Sequence, residues 1–429
     1  MTRGRLNILI FPCGTEIGLE INRSICNDTH FNVYGASSIE DHGSFVFNNY
    51  IGGLPFVFEK NFINEINKVI KENEIDLIFP AHDEVLLKLS EEFEKGCLEC
   101  PYIGPNYSIC NTCRFKSKTY KVLEGSIATP KLFKSIIDVK KEELPVFVKP
   151  DNGQGSKGAT MVTSLEELKI IGRDKLVMEY LPGREFTIDC FSNKDGILLF
   201  CEGRERIRVS NGISVRTAST EDVRFIEIAR IINSRLRMRG VWFFQVKEDR
   251  HKNLVLLEVA PRVAGTMCLV RCKGVNLPLV ALYDSMGINV EILENNYKIL
   301  VDRSLHSSYK LDLYYEKVYI DLDDSVLLDG RVNLLLISFI YQCINEKIVL
   351  SLITKHKDEL NETLKQHRLF SLFDEVIQIN PEDEKFKYIN SNKSIFIDDS
   401  FRERKKVKEN VGIPVFDTHM IEALIKPFE

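Results

Sequence analysis

The chain has 429 residues, 44% of them hydrophobic and 28% charged, with glycine and proline at ordinary levels. That length exceeds one ordinary core, so roughly two to four compact units are expected, and the composition excludes a disordered chain. The 57 basic and 62 acidic side chains leave a net charge of −5, which gives no electrostatic reason to expect nucleic acid as a partner. No apolar run reaches the roughly 18–20 residues of a membrane span. The amino terminus runs straight into a strand-like segment without a signal-peptide pattern, so a cytoplasmic protein with reduced cysteines is expected.

The first hundred residues alternate strand and helix signals. LNILIF is a buried-strand run, and the glycines of PCGTEIG permit a tight turn into an amphipathic helix. FNVYGAS and IDLIFPAHDE supply further strands, with helical periodicity from Asn64 to Glu74 between them. Such alternation predicts an open parallel sheet over residues 1–112. Gly14 and Gly18 lack the dinucleotide-binding spacing. Cys97, Cys100, Cys110 and Cys113 spell C-x2-C-x9-C-x2-C. The paired spacings suit zinc, but the central gap is short and no histidine is near, so buried thiols are the simpler expectation.

From Lys118 to about Val290 short strands separated by tight polar turns take over: PVFVKP, KLVMEYL, EFTIDCF, ILLFCEG, VWFFQVK and NLVLLEV. This is an α+β pattern with antiparallel hairpins. Lys149 ends the first of these strands, and the loop DNGQGSKGATMV follows at once. Its glycines, Gly155 among them and followed by Ser156, let backbone N–H groups face a phosphate chain, to which Lys149 adds a point charge. In VMEYLPGREFTID, Glu179 and Glu185 flank a turn that can offer backbone groups to adenine and a carboxylate to ribose, although a solvated pair of glutamates fits the same pattern. A hairpin centred near His251 sets Gln245 opposite Glu258. Alternation then keeps Glu258, Ala260 and Arg262 on one face. The oxygen pair suits Mg2+ arriving with ATP phosphates, and Arg262 can clamp a carboxylate or phosphate bidentately. Arg204, Arg206, Arg208 and Arg216 form a further series along GRERIRVSNGISVRT, where a solvated strand face is an equal alternative.

The order of these features resembles the ATP-grasp superfamily, most closely its carbamoyl-phosphate-synthetase-like members, over about residues 5–290. TPK, VFVKP with its glycine loop, VMEYLPGREFTID and LLEVAPRVAGT fall where that family has its motifs. The resemblance implies a Rossmann-like domain over 1–112 and an ATP-grasp domain over 113–290. It implies Lys116 of FKSKTY, in preference to Lys118, and Lys149 as phosphate lysines. Glu179 becomes the adenine-side and Glu185 the ribose-side residue, and Gln245 and Glu258 become the magnesium ligands. Arg206 and Arg262 would stabilise charge on the transferring phosphoryl group. One departure stands out: the family's usual E-x-N-x-R has Ala260 at the Asn position, which removes one magnesium ligand. The implied chemistry is ATP-dependent phosphorylation of a carboxylate, followed by attack of an amine or similar nucleophile on the acyl phosphate.

Residues 291–315 read as a connector, and a new α/β unit opens at 316–429. KVYIDLDDS predicts a buried strand ending in Asp321 and Asp323, one carboxylate to attack phosphorus and the other to handle the proton. Thr354 closes the strand KIVLSLIT, Lys385 can neutralise charge, and Asp398 and Asp399 end SIFIDDS, where they suit Mg2+ together with Asp321 and Asp323. Ligands bind at the carboxyl ends of such strands. This set resembles the haloacid dehalogenase superfamily, implying a capless Rossmannoid phosphatase with Asp321 as nucleophile, Asp323 as acid/base, and Thr354 and Lys385 as phosphate binders. A capless site takes a large substrate, or borrows its lid from the other half.

The expected architecture is therefore α/β and α+β multidomain. The expected function is a bifunctional enzyme that uses ATP and Mg2+ to join a small carboxylate to an amine, either of them phosphorylated or not. The alternatives are a nucleotide-binding regulator with a degenerate phosphatase scaffold, and an ATP-grasp kinase that stops at a phosphorylated product. Substrate identity and oligomeric state have no legible code.

Overall fold

The computed structural model describes residues 4–153, 155, 157–170, 175–210 and 212–426. The chain divides into two units, Met1–Leu305 and His306–Glu429. No helix among the described residues is long and apolar enough to cross a membrane.

The first unit contains three sheets. The amino-terminal sheet is parallel, in the order Asn49–Ile51, Phe31–Ala36, Leu6–Phe11, Leu77–Pro80. Its strand Leu6–Phe11 is apolar on both faces: Ile8 and Ile10 enter one core cluster, Leu9 and Phe11 another. This is why LNILIF shows no alternation. The following helix, Glu16–Ile25, starts where the Thr15 hydroxyl oxygen accepts from the Gly18 N–H at 3.0 Å. The helix expected over 64–74 spans Phe62–Glu72, two residues earlier.

The second sheet is antiparallel, in the order Leu132–Phe133, Lys175–Glu179, Val146–Pro150, Thr160–Val162. The third has six antiparallel strands: Leu254–Ala260, Gly240–Glu248, Glu185–Ser192, Leu198–Ser210, Ile213–Thr220 and Leu300–Asp302. One face, carrying Ile188, Trp242 and Phe244, packs on Phe225, Ile228 and Ile232 of the helix Val223–Leu236. The strand expected over ILLFCEG continues to Ser210, through the arginine series. It can do so because Arg204 and Arg206 find carboxylates, Asp189 and Glu185, on the neighbouring strand. The connector expected over 291–315 also needs correction. Its residues Leu300–Asp302 pair with Ala218–Arg216 as an edge strand, so the first unit runs on to Leu305.

The second unit is a five-stranded parallel sheet, in the order Glu375–Gln378, Val349–Thr354, Lys317–Ile320, Ser394–Ile397, Val415–Phe416. The first strand in sequence, Lys317–Ile320, is central, and its Val318, Tyr319 and Ile320 are wholly buried. Its carboxyl end therefore lies between those of Val349–Thr354 and Ser394–Ile397, at the point where strand order reverses. Between Asp323 and Thr354 lie only a short hairpin, Leu327–Leu328 with Arg331–Val332, and the helix Leu334–Asn345.

Candidate functional sites

The first site is built around a bulge. Phe243 pairs with Ala260, Phe244 with Val259 and Gln245 with Glu258, but Val246 pairs with Leu256, so Leu257 is left over. A residue outside the ladder frees its carbonyl. The Leu257 oxygen accepts from the Tyr120 hydroxyl at 2.7 Å and from Lys149 Nζ at 3.3 Å. The bulge thus fixes Lys149 next to the Gln245–Glu258 pair. Tyr120, which also lies 3.4 Å from Lys149 Nζ, carried no signal in the sequence beyond its place in FKSKTY.

One cavity is lined by Lys116, Lys149, Gly155, Glu179, Glu185, Arg206, Gln245 and Glu258. Lys116 begins the helix Lys116–Leu123, and its Nζ donates to the Gly153 carbonyl at 2.7 Å and lies 3.9 Å from Glu258 Oε2. Lys118 is exposed and bonds Asn111, outside the cavity. Burial and then the charge of Lys116 push the Lys149 ammonium down to about 8, against the pull of Glu258, Glu185 and Asp151. Both lysines line the same cavity as Glu258 and Glu185 and can add their charge to an anion bound there. Gly155 has φ +59°, and a Cβ on Gly212 would sit 2.1 Å from the Gly155 carbonyl carbon, so these two glycines, both lining the cavity, meet backbone against backbone. Ser156 lies outside the described residues.

Around the rim, Glu179 Oε1 accepts the Lys131 N–H at 2.9 Å. Glu185 sits 2.8 Å from Arg206 Nε and 3.5 Å from Lys247. The rest of the arginine series points elsewhere: Arg204 is buried on Asp189 and Thr266, while Arg208 and Arg216 share Asp302 at the surface. Arg262 lies in an adjoining pocket, bound bidentately to Asp83 at 2.6 and 2.8 Å, so its clamp is already filled by a carboxylate of the protein itself. Burial alone would raise the Asp83 carboxyl, and Arg262 outweighs this and holds it below the usual range. Ala260 lines the same pocket beside Glu258. A cavity lined by two lysines, glycine-loop backbone and the Gln245 and Glu258 side chains fits a polyphosphate and its Mg2+.

The second site gathers at the carboxyl edge of the parallel sheet. Asp321, Asp398 and Asp399 hold oxygens within 4.8 Å of one another, the only such group of His, Cys, Asp or Glu among the described residues. Lys385 opens a short helical turn, and its Nζ reaches both Asp321 and Asp398. Burial lifts the Asp321 carboxyl well above its usual range, with Asp398 adding to the shift and Lys385 opposing it. A divalent cation fits this trio, since it would relieve the crowding of carboxylates. Asp323 does not belong to the trio, contrary to its expected place among the metal ligands. Its half-exposed carboxylate turns to His356 Nδ1, 2.9 and 3.1 Å from its two oxygens. Thr354 is fully buried, and its Oγ1 accepts the His356 N–H at 3.1 Å. His356 is marked in the sequence only by its place two residues after the strand-ending Thr354.

Among the described residues, Cys97, Cys100, Cys110 and Cys113 form no group of three or more that could hold a metal ion. Cys97 is exposed, while Cys100 and Cys110 are buried with their thiols bonded to backbone carbonyls, and burial pushes both up to about 12. Such thiols act as small hydrophobes.

Residues 172–303 match the family described as "ATP-grasp in the biosynthetic pathway with Ter operon", a match that ends before the second unit begins. The chain is 25% identical over 259 residues to the carbamoyl phosphate synthase large chain of Caldanaerobacter subterraneus subsp. tengcongensis, an alignment covering 54% of this chain and 24% of that protein. The chain thus spans about a quarter of that relative's length. Among solved structures, the biotin carboxylase domain of Hydrogenobacter thermophilus 2-oxoglutarate carboxylase, in complex with MgADP, ADP and bicarbonate, matches with TM-score 0.57 at 14% identity, over 70% of this chain and 74% of that one. The L-amino acid ligase of Bacillus licheniformis matches with TM-score 0.51 at 17% identity, over 66% and 74%. These likenesses identify the architecture: the chain carries a mixed α/β ATP-grasp fold.

Proposed function

We propose that residues 1–305 form an ATP-dependent ligase that activates a small carboxylate as an acyl phosphate and joins it to an amine. The observation that carries this is the convergence of Lys116, Lys149, Gln245 and Glu258 on one cavity under a glycine loop. In this reading Lys116, Lys149 and the loop N–H groups hold the phosphate chain, and Gln245 and Glu258 hold Mg2+, which neutralises charge on the transferring phosphoryl group. A carboxylate oxygen of the substrate attacks the terminal phosphorus and ADP departs. The amine then attacks the acyl carbon, phosphate leaves, and the amine loses its proton. Glu185, held by Arg206, would accept from a ribose hydroxyl. The aligned synthase and the structurally similar amino acid ligase support carboxylate-type substrates.

We further propose that residues 306–429 are a haloacid-dehalogenase-type phosphatase. The support is the sheet order, with Asp321 ending the central strand against Lys385, Asp398 and Asp399. Asp321 would attack phosphorus while Asp323 gives a proton to the leaving oxygen. Water would then release phosphate from Asp321, handing its proton to Asp323.

The test is magnesium-dependent ATP consumption by the full chain against a panel of amino acids, small carboxylates and phosphorylated metabolites, with products read by mass spectrometry. A mass equal to acid plus amine minus water supports the ligase. A phosphorylated product without joining points to a kinase instead, and ATP binding without turnover to a regulator.

A further inference from the structure

We infer that His356 is a positioning residue for the acid–base carboxyl of Asp323, a role that rests on the phosphatase reading of the second unit. The Asp323 side chain is 49% exposed, and a half-exposed carboxylate on a loop has several rotamers open to it. A general acid must sit within hydrogen-bond reach of the oxygen it protonates. His356 removes that freedom. Its ring is only 11% exposed and is anchored at both nitrogens: Nδ1 lies 2.9 and 3.1 Å from the two Asp323 oxygens, and Nε2 lies 2.9 Å from the Thr363 hydroxyl. With Asp323 ionised, Nδ1 carries the ring proton and donates to the carboxylate, and the Thr363 hydroxyl donates to Nε2; with Asp323 in its acid form, the ring stays on one carboxyl oxygen and the other carries the proton for transfer.

The same residue also orients Thr354. The His356 backbone N–H donates to Thr354 Oγ1 at 3.1 Å. That bond occupies a lone pair of the hydroxyl and leaves its proton free to be donated to a phosphoryl oxygen. His356 therefore ties the acid–base group and the hydroxyl to one loop, which is fixed in turn by the helix Leu360–Gln366 that carries Thr363. The backbone bond to Thr354 would be made by any non-proline residue at 356, so the positioning of Asp323 rests on the ring, held between Asp323 and Thr363.

The chemistry supplies a selective test. In the first step a bond forms between Asp321 Oδ and phosphorus, the bond from phosphorus to the ester oxygen breaks, and the Asp323 proton moves to that oxygen. An alkoxide needs the proton; p-nitrophenolate leaves without it. Because kcat/KM reports only events up to formation of the phosphoenzyme, it isolates this step. The full chain with Mg2+ is assayed on butyl phosphate and on p-nitrophenyl phosphate. His356→Ala is expected to lower kcat/KM on the alkyl ester by about 10-fold or more beyond its effect on the aryl ester. Thr363→Val, which removes only the far anchor of the ring, should show the same bias to a smaller degree, and remains informative should His356→Ala not fold. In the double variant His356→Ala/Asp323→Asn the two alkyl-ester losses should not add. Equal losses on both esters, or full additivity, would overturn the positioning role. If Asp321→Asn releases phosphate as fast as the unaltered chain, the phosphatase reading itself falls, and this role falls with it.

Discussion

Gln245 and Glu258 face each other across a hairpin one residue before a bulge, and the carbonyl released by that bulge, from Leu257, holds Lys149 at 3.3 Å. One backbone irregularity thus sets the spacing between the oxygen pair that would hold Mg2+ and the lysine that would hold phosphate. Glu258→Gln is expected to lower ATP turnover by about 100-fold or more with little loss of stability, because the side chain is 29% exposed. Ala260→Asn restores an amide oxygen beside Glu258 and should lower the magnesium concentration needed for half-maximal turnover. ADP release measured across a magnesium titration reads both, and an unchanged rate in Glu258→Gln would remove that residue from the metal site.

Lys149 gives a pH signature. Burial and Lys116 hold its ammonium down to about 8 in the free protein, and polyphosphate favours the charged form. ATP affinity should therefore be flat below about pH 8 and fall by up to about tenfold per unit above it, with proton uptake on binding near that pH. Calorimetric titration in buffers of different ionisation heat measures the uptake, and Lys149→Arg should abolish the slope. Affinity that stays flat to about pH 9 would show that Lys149 keeps its proton there or does not meet the phosphates.

Gly212 packs against the glycine loop. It has φ +77°, and any Cβ would strike the Gly155 backbone. Gly212→Ala should displace the loop and raise the KM for ATP several-fold, while phosphatase activity of the second unit stays unchanged. Unchanged ATP kinetics would mean that the Gly212–Gly155 contact has no part in holding nucleotide.

Arg204 and Asp189 form a pair 2.7 Å apart at 2% and 0% exposure. Arg204→Ala strands a buried carboxylate and should cost about 3–5 kcal/mol in the denaturant unfolding of the full chain. Arg204→Met with Asp189→Leu should recover most of that loss. A single variant as stable as the parent would mean that water reaches Asp189.

The pairing of Gln245 with Glu258 was legible because the polar turn at Asp249–Asn253 fixes the centre of the hairpin. The bulge was not, since the partner of its freed carbonyl, Tyr120, lies more than a hundred residues away. The same limit explains Arg262. Alternation put it on the right face, but its partner Asp83 lies 179 residues upstream, and no local pattern announces that the guanidinium is taken. Leu300–Asp302 escaped notice because three residues carry no period, and that strand exists only through the edge it completes. In the second unit the strand-ending Asp321, Thr354 and Asp398 were readable because parallel neighbours in a sheet bring their carboxyl ends together. The turn of Asp323 toward His356 was not, since it depends on a rotamer.

If carboxylate activation takes place in the Lys149–Glu258 cavity, oxygen-18 should pass from acid to phosphate. Amino acids and small acids labelled in the carboxyl group are incubated with ATP, Mg2+ and amines, using the Asp321→Asn chain so that the second unit releases no phosphate. An acyl phosphate intermediate predicts one labelled oxygen in each inorganic phosphate formed, and Glu258→Gln should suppress its appearance. Joined product accompanied by phosphate without label would rule out an acyl phosphate intermediate.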